Sequence, residues 1–375
     1  MSTHIHTVRT EDFDAFMRFM EHAYGHSREF FPRFYGHIYH PTPEACANCY
    51  IIKENYRIVS HVGLFPIHIA SAGTQLTLGG IGGVATLPEA RGKGYMTRLL
   101  KHAIDEMRVR GYPVSWLGGD RQRYNSFGWE MAGRAYQLTF TPRSLAWDDV
   151  TAAPIEEVLP EDARLVIAAH QERPTCHAHR PNLHASLNRQ DLRFWIADDG
   201  YVIARGQNRD HVKVIEVASA SGNEVSLLRA VLEWNFADDV TWELSAWEHD
   251  RLARVMPYVA GWQMQEHGMY RINDLAALLS AALPSLAQRA VSLRDTSVTL
   301  RLRELDRIKE TTLRVQDGVV QIRAGQHATL AVEFSLIDAA RLIFGGPTPA
   351  NADKLPPAIR ALFPIPIYVP HLDRV

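Results

Sequence analysis

The stretch from Val84 to Leu100, VATLPEARGKGYMTRLL, changes its period in mid-course. It begins as a β-type apolar run. It continues as an amphipathic helix from about Gly94 to Arg110, whose apolar stripe is Met96, Leu99, Leu100, Ala103, Ile104 and Met107. Gly111 then stops the helix. Between strand and helix stand two glycines two positions apart, flanked by Arg91 and Lys93. A cationic turn poor in side chains at a helix start suits an anion, because free backbone N–H groups and the helix dipole both point at it.

Three anion-binding readings compete. GIGGVA at Gly80–Ala85 satisfies the spacing of a dinucleotide fingerprint, but the chain continues as strand where that motif needs a helix. A phosphate loop of the G-x-x-x-x-G-K-[ST] type fails as well, with Leu87 at its first glycine and Gly94 after Lys93. The third reading is a pyrophosphate loop in which Arg91, Gly92, Lys93, Gly94, Tyr95 and Met96 offer successive amides at the helix start. An ordinary strand–helix turn with exposed basic residues is the alternative from this segment alone.

The rest of the chain supplies context. HIHTVRT reads as a strand, and TEDFDAFMRFMEHAYG as a helix capped by Thr10 with Phe13, Phe16, Met17, Met20 and Ala23 on one face. REFFPRFYGHIYHPTPE is aromatic, broken by prolines, and suited to cover a cleft. Strand runs with turns at Glu54-Asn55 and Ala72-Gly73 follow, then PVSWLGG, a short helix or turn in RQRYNSFGWE, and the strand RAYQLTF. This fills one small α/β domain. A linker leads to a second mixed region of similar order, with strands GYVIARG, VKVIEVAS, VTWELSAW and MQEHGMYRI and helices EVSLLRAVLEWNF and HDRLARVMPYV. A helix ended or kinked by Pro284 precedes a strand-rich third region. The chain closes on LFPIPIYVPHLDRV, a proline-rich and apolar tail that is expected to pack, since disordered tails are polar.

Composition narrows the function. The 375 residues suit two or three domains, and a net charge of −2 without a basic tract argues against nucleic acid. The N-terminus lacks an apolar signal core and no stretch is long enough to span a bilayer, so a cytoplasmic protein without membrane attachment is expected. Three cysteines cannot form a disulfide framework. Cys46 and Cys49 form a C-x-x-C, and Cys176 stands near His177 and His179; the loose spacing favours incidental thiols over a zinc or redox site, and no metal is expected.

The segment ARGKGYMTRLL resembles the acetyl-coenzyme-A loop of the GNAT superfamily of N-acetyltransferases, Q/R-x-x-G-x-G/A. Arg91 and Gly94 match, and Met96 departs at the final small position. GGVATLP resembles the splayed strand before that loop, which implies that the backbone of Val84, Ala85 and Thr86 pairs with the pantetheine amides as an added strand. GGDRQRYNSFGWE resembles the later Y-x-x-F-G-[FYW] segment, in the expected order. The resemblance assigns Tyr124 as the general acid that protonates the leaving thiolate; a phenol keeps its proton at neutral pH. It places Arg91, Gly92, Lys93, Gly94, Tyr95, Met96, Thr97, Gly119 and Asp120 at acetyl-CoA, the expected co-substrate.

The whole layout resembles the enhanced-intracellular-survival type of acetyltransferase. That resemblance implies a GNAT domain over 1–145, a second GNAT-like domain without the coenzyme loop over 146–284, and a sterol-carrier-protein-like α+β domain over 285–375. The fold class expected is thus tandem mixed α/β sheets with flanking helices plus an α+β domain. The tail would deliver the Val375 carboxylate to the first domain as general base, with Asp373 as the fallback. Family members commonly end in an aromatic residue where this chain has valine. The family acetylates amines, including aminoglycosides and some protein lysines, and forms homo-oligomers, often hexamers. Tyr24, Phe30, Phe31 and Tyr35 are candidates for the acceptor wall or for simple core packing. Acetylation of protein lysines, or non-catalytic binding of an apolar ligand, are the rival functions.

Overall fold

A computed structural model describes residues 4–71, 73–146, 150–171, 180, 183–205, 210–305 and 307–375. In chain order the first part comprises β1 (Ile5–Thr7), helix α1 (Phe13–Tyr24), the short helices α2 (Phe30–Phe34) and α3 (Pro43–Cys46), β2 (Cys49–Glu54), β3 (Arg57–Ser71) and β4 (Thr74–Thr86). It continues with helix α4 (Tyr95–Val109), β5 (Val114–Leu117), the short helix α5 (Arg121–Tyr124), β6 (Glu130–Met131) and β7 (Ala135–Phe140). The second part carries β8 (Glu156–Val158), β9 (Leu192–Ala197), β10 (Gly200–Arg205), β11 (His211–Ser219), β12 (Asp239–Ser245), β13 (Gly261–Gln265) and β14 (Met269–Ile272). The third has β15 (Thr296–Glu304), β16 (Arg307–Gln316), β17 (Val319–Ala324) and β18 (Ala331–Ser335).

These strands form three sheets: β1-β2-β3-β4-β5-β14-β6, β13-β7-β12-β11-β10-β9-β8, and β17-β16-β15-β18. Mixed sheets with helices on their faces are the expected class. Strand membership, however, is exchanged. β7, read from the sequence as the end of the first domain, lies in the second sheet between β13 and β12. β14 returns the exchange by inserting between β5 and β6. The segment MQEHGMYRI, read as one strand, is therefore two strands in different sheets. Gly268 makes the break, at φ +104, where a Cβ would stand 2.7 Å from the Trp116 indole nitrogen. The exchange ties the first two sheets together by backbone hydrogen bonds on both sides.

Local signals explain most elements. Helix α4 buries Leu99, Leu100, Ala103, Ile104 and Met107 against the first sheet, as its period anticipates, but Tyr95 rather than the half-buried Met96 begins the stripe. Helix α1 buries Phe13, Phe16, Met17, Phe19 and Met20 and ends at left-handed Gly25. Thr10 does not cap it: Thr10–Asp12 form a separate 3₁₀ turn and α1 starts at Phe13. Pro284 sits in the first turn of a new helix, Leu283–Ala290, where its missing N–H costs nothing. In the third sheet Asp317 and Gly318, both at positive φ, turn β16 into β17.

The tail crosses all three parts. Ile365, Ile367 and Val369 are buried in the same core as the third sheet and its helices, and Leu372 is buried against the second sheet. Arg289 donates to the carbonyl oxygens of Leu362 and Pro364, and the Val369 carbonyl lies 2.7 Å from His267 Nε2. Cys46 and Cys49 are buried free thiols, while Cys176, His177 and His179 lie outside the described residues. Among the described residues no cluster of three His, Cys, Asp or Glu is placed to hold a metal, and no helix is long and apolar enough to cross a membrane.

Candidate active site

The site begins where β4 and β5 part. They pair in parallel only at Gly79 with Ser115 and Gly80 with Trp116. Beyond Gly80, β4 keeps its bonds to β3 but leaves its other edge unpaired by β5, which opens a fork. A β-bulge between His61 and Gly63 puts Gly83 and Val84 opposite Val62 alone. Gly83 adopts φ +61, and a Cβ there would lie 2.2 Å from the Tyr39 hydroxyl oxygen. Fully buried His61 holds the bulge, with Nδ1 2.7 Å from the Gly83 carbonyl oxygen. Burial pushes the His61 pKa down to about 4, so its ring is neutral and Nδ1–H donates to that carbonyl.

At the wide end of the fork lies the RGKG turn. Gly92 and Gly94 stand at φ +78 and +75 with open space where their Cβ atoms would be. Gly94 caps α4 without any side-chain bond, and the first turn carries no acidic residue, so the helix start presents bare amides. Arg91 turns its Nε to the Thr86 carbonyl at 3.3 Å. Lys93 bonds the Glu54 carboxylate at 2.8 and 3.0 Å, and the Tyr95 hydroxyl donates to the same carboxylate. Lys93 and Tyr95, two of the residues expected at an anion, are thus tied to Glu54. The turn thus presents its backbone amides, with the Lys93 ammonium drawn to Glu54. Met96 and Thr97 occupy the first turn, half-buried, with Met96 packed on the first core.

In the segment that follows β5 the sequence-predicted residues serve two purposes. Tyr124 is buried, and burial raises its pKa above the ordinary phenol value, while the adjacent Arg123 guanidinium opposes the rise. It therefore holds its proton at neutral pH. Gly119 makes room for its ring, since a Cβ there would lie 2.7 Å from Tyr124 Cε2. Asp120 caps α5 by accepting from the Gln122 N–H at 3.0 Å. Both position Tyr124. On the β4 side, the Tyr24 hydroxyl donates to the Val84 carbonyl at 3.0 Å, and the Ala85 carbonyl accepts from Ser60 Oγ at 3.1 Å. Tyr24, Phe30, Phe31 and Tyr35 cluster with His26. The His26 ring stacks on Phe30 at 3.7 Å, and Tyr24 meets Phe31 edge-on at 5.4 Å. Phe31 is core; Tyr24 is exposed and Phe30 and Tyr35 are half-buried, forming a rim.

The chain end is the other occupant of the fork. A Cβ built on Gly82 would stand 3.0 Å from the Val375 carboxyl carbon, and one on Gly80 would stand 2.7 Å from Val375 Cγ2. The terminal residue lies directly on β4, on the face where these glycines leave a channel. The last peptide is held from the first part of the chain, with His37 Nε2 3.3 Å from the Arg374 carbonyl. Burial and the nearby Arg189 push the His37 pKa down to about 4, so this contact is a neutral N–H donor. The Asp373 carboxylate is held by Arg180 at 2.8 and 3.0 Å, an ion pair that engages both its oxygens.

Sequence reasoning missed Gly80, Gly82 and His37. The signal was the run GGIGG, four glycines in five residues within a strand. Its spacing also matches a nucleotide motif, which masks its meaning. Its physical meaning is close backbone approach, by Val375 at Gly80 and Gly82 and by Met107 Sδ, 2.6 Å from a Cβ built on Gly79.

The family model for an acetyltransferase (GNAT) domain matches residues 4–132. The chain carries a GNAT acetyltransferase domain. That match ends where the exchange of β7 and β14 begins, and GNAT domains take acetyl-CoA as donor. Solved structures resemble the full length. A GCN5-related N-acetyltransferase from Anabaena variabilis is 18% identical with a TM-score of 0.71, covering 98% of each chain. A probable N-acyltransferase from Enterococcus faecalis is 17% identical with a TM-score of 0.72, covering 96% of this chain and 95% of its own. Eis1 from Mycobacterium abscessus is 17% identical with a TM-score of 0.68, covering 98% of this chain and 99% of its own. At such identity the likeness is one of fold. A comparison with curated proteins finds no match.

Proposed function

We propose that this chain is an acetyl-CoA-dependent N-acetyltransferase of the enhanced-intracellular-survival type, acting on a primary amine of a small polyamine-like or aminoglycoside-like acceptor. The observation that carries the reading is the Val375 carboxyl carbon lying against Gly82 on the strand that leads into the bare-amide turn; the buried, protonated Tyr124 in the segment after β5 supports it. The pyrophosphate of acetyl-CoA docks on the amides of Arg91–Thr97, and the pantetheine lies along Val84–Thr86 in the place a neighbouring strand would take. The acceptor nitrogen attacks the thioester carbonyl carbon, a C–N bond forms and the C–S bond breaks. The Tyr124 hydroxyl gives its proton to the departing sulfur, and the Val375 carboxylate takes the proton lost by the amine. On the aromatic rim the exposed Tyr24 suits a cationic acceptor, because ring faces attract ammonium groups; the Phe30 face is stacked by His26 and the Tyr35 face is covered by Arg189.

The four-stranded third sheet and its helices fit the sterol-carrier-like part of this layout. A role there for a free apolar ligand is less well supported, because Ile365, Ile367 and Val369 of the tail lie in that core. Homo-oligomerisation, as a hexamer, belongs to the same reading, and a sedimentation mass of one chain at micromolar concentration would remove it. The functional test is transfer of labelled acetyl from acetyl-CoA to polyamines, aminoglycosides and lysine peptides in parallel. The reading expects product with the small amines; transfer to the peptides alone would make the chain a protein-lysine acetyltransferase, and no transfer to any would refute the activity.

A further inference from the structure

The second sheet has a fork of its own. β11 and β12 pair in parallel from His211 with Asp239 to Val214 with Trp242, and no further. Glu216 and Glu243 stand just beyond that last pair, one on each strand. No glycine-rich turn precedes the following helix, Glu224–Asn235, whose first residue is itself an acid. The fork holds the tail instead.

Two ion pairs do this, on the two residues before the terminus. Asp373 is gripped by Arg180, which is itself held by Glu216 at 2.6 and 3.1 Å; Tyr201 donates to Glu216 at 2.6 Å. The Arg374 guanidinium donates to Glu243, which also accepts from the Tyr368 hydroxyl at 3.1 Å and from Gln265 at 3.1 Å. Arg180 is buried, and Glu216 and Glu243 are mostly so. Charges taken out of water are strongly directional, because each must keep its partner. A stiff apolar strap would fix the tail's course but not its last ångström. Two buried ion pairs at adjacent residues fix both the distance and the rotation of the chain end.

We propose that the second fork is a clamp that sets the position of the terminal carboxylate in the first fork, with Glu243 and Arg180 as positioning residues. This rests on the reading of Val375 as the base. It gives the second sheet a task in the reaction although it has no coenzyme turn. The clamp acts only through the carboxylate, so its loss affects turnover and spares acetyl-CoA binding.

The test compares Glu243→Gln and Arg374→Gln in the full chain and in a chain lacking Val375, with acetyl-CoA and a primary amine that the full chain acetylates. Each substitution is expected to lower kcat about tenfold in the full chain, with KM for acetyl-CoA unchanged and Arg374→Lys recovering most of the rate. In the truncated chain the same substitutions should change kcat by less than about twofold, because what they position is no longer in place. Equal losses in both backgrounds, or full turnover of Glu243→Gln and Arg374→Gln in the complete chain, would overturn the clamp while leaving the terminal base intact. Full turnover of the truncated chain itself would overturn the terminal base, and the clamp with it.

Discussion

Gly82→Ala adds one methyl group at the place where the chain end meets β4. Gly82 has no positive φ, so alanine is compatible with its backbone, and the new Cβ meets Phe65 Cε2 at an ordinary 3.5 Å. Its other neighbours are the Val375 carboxyl carbon at 3.0 Å and Val375 Cβ at 3.4 Å. Non-bonded carbons rest at about 3.5–4.0 Å, so the carboxylate must retreat by about 0.5–1 Å. At Gly82 the strand is held by its pairing with Gly63 of β3, so the Val375 carboxyl group is what moves. A displacement of about 1 Å in a reacting group costs up to about 10²-fold in rate. The expected result is a kcat lowered between about 10- and 100-fold, read as thiol release from acetyl-CoA with a saturating amine. Coenzyme affinity by calorimetric titration should be unchanged, because the RGKG turn lies beyond the fork's far end. Wild-type kcat in Gly82→Ala would refute the claim that the carboxylate works from where it stands.

Gly94→Val forces a β-branched residue into φ +75 at the helix start, a left-handed cost of about 1–2 kcal/mol. CoA affinity measured by titration should fall about 5- to 30-fold as the amides shift. Tyr124→Phe should lower kcat by about 10²–10⁴-fold and leave the CoA dissociation constant alone, checked by pairing turnover with titration. His61 has a folded pKa of about 4 against about 6.5 unfolded, so its contribution is complete above pH 6.5 and lost as pH falls toward 4. Stability against denaturant should therefore fall by up to about 1.4 kcal/mol per pH unit as pH drops through that window on account of this residue, and His61→Gln should flatten the slope.

Helical elements were legible because their period is local: the α4 stripe follows from residues three and four apart. Sheet membership was not. β7 reads as an ordinary strand and β14 is four residues long and buried throughout, and nothing within either says that each pairs in the other's sheet. Only Gly268 marked a break, and a lone glycine in a strand has several meanings. In the site, the turn amides and Tyr124 were visible as motifs. The apolar tail announced that it packs, but its end point depends on Gly80 and Gly82, about 300 residues earlier, and on ion pairs with Arg180 and Glu243. The pairing of Lys93 with Glu54 was not legible either, because the two stand on different elements and nothing near Lys93 in sequence names its acid.

The central claim is that Val375 acts through its free carboxylate, and the most direct measurement is the turnover of a chain extended by a single C-terminal glycine. The extension leaves every side chain in place and turns the Val375 carboxylate into an amide, which accepts no proton at neutral pH. The account predicts a kcat lower by about 10²–10⁴-fold with acetyl-CoA affinity retained. Turnover equal to that of the native chain would contradict it.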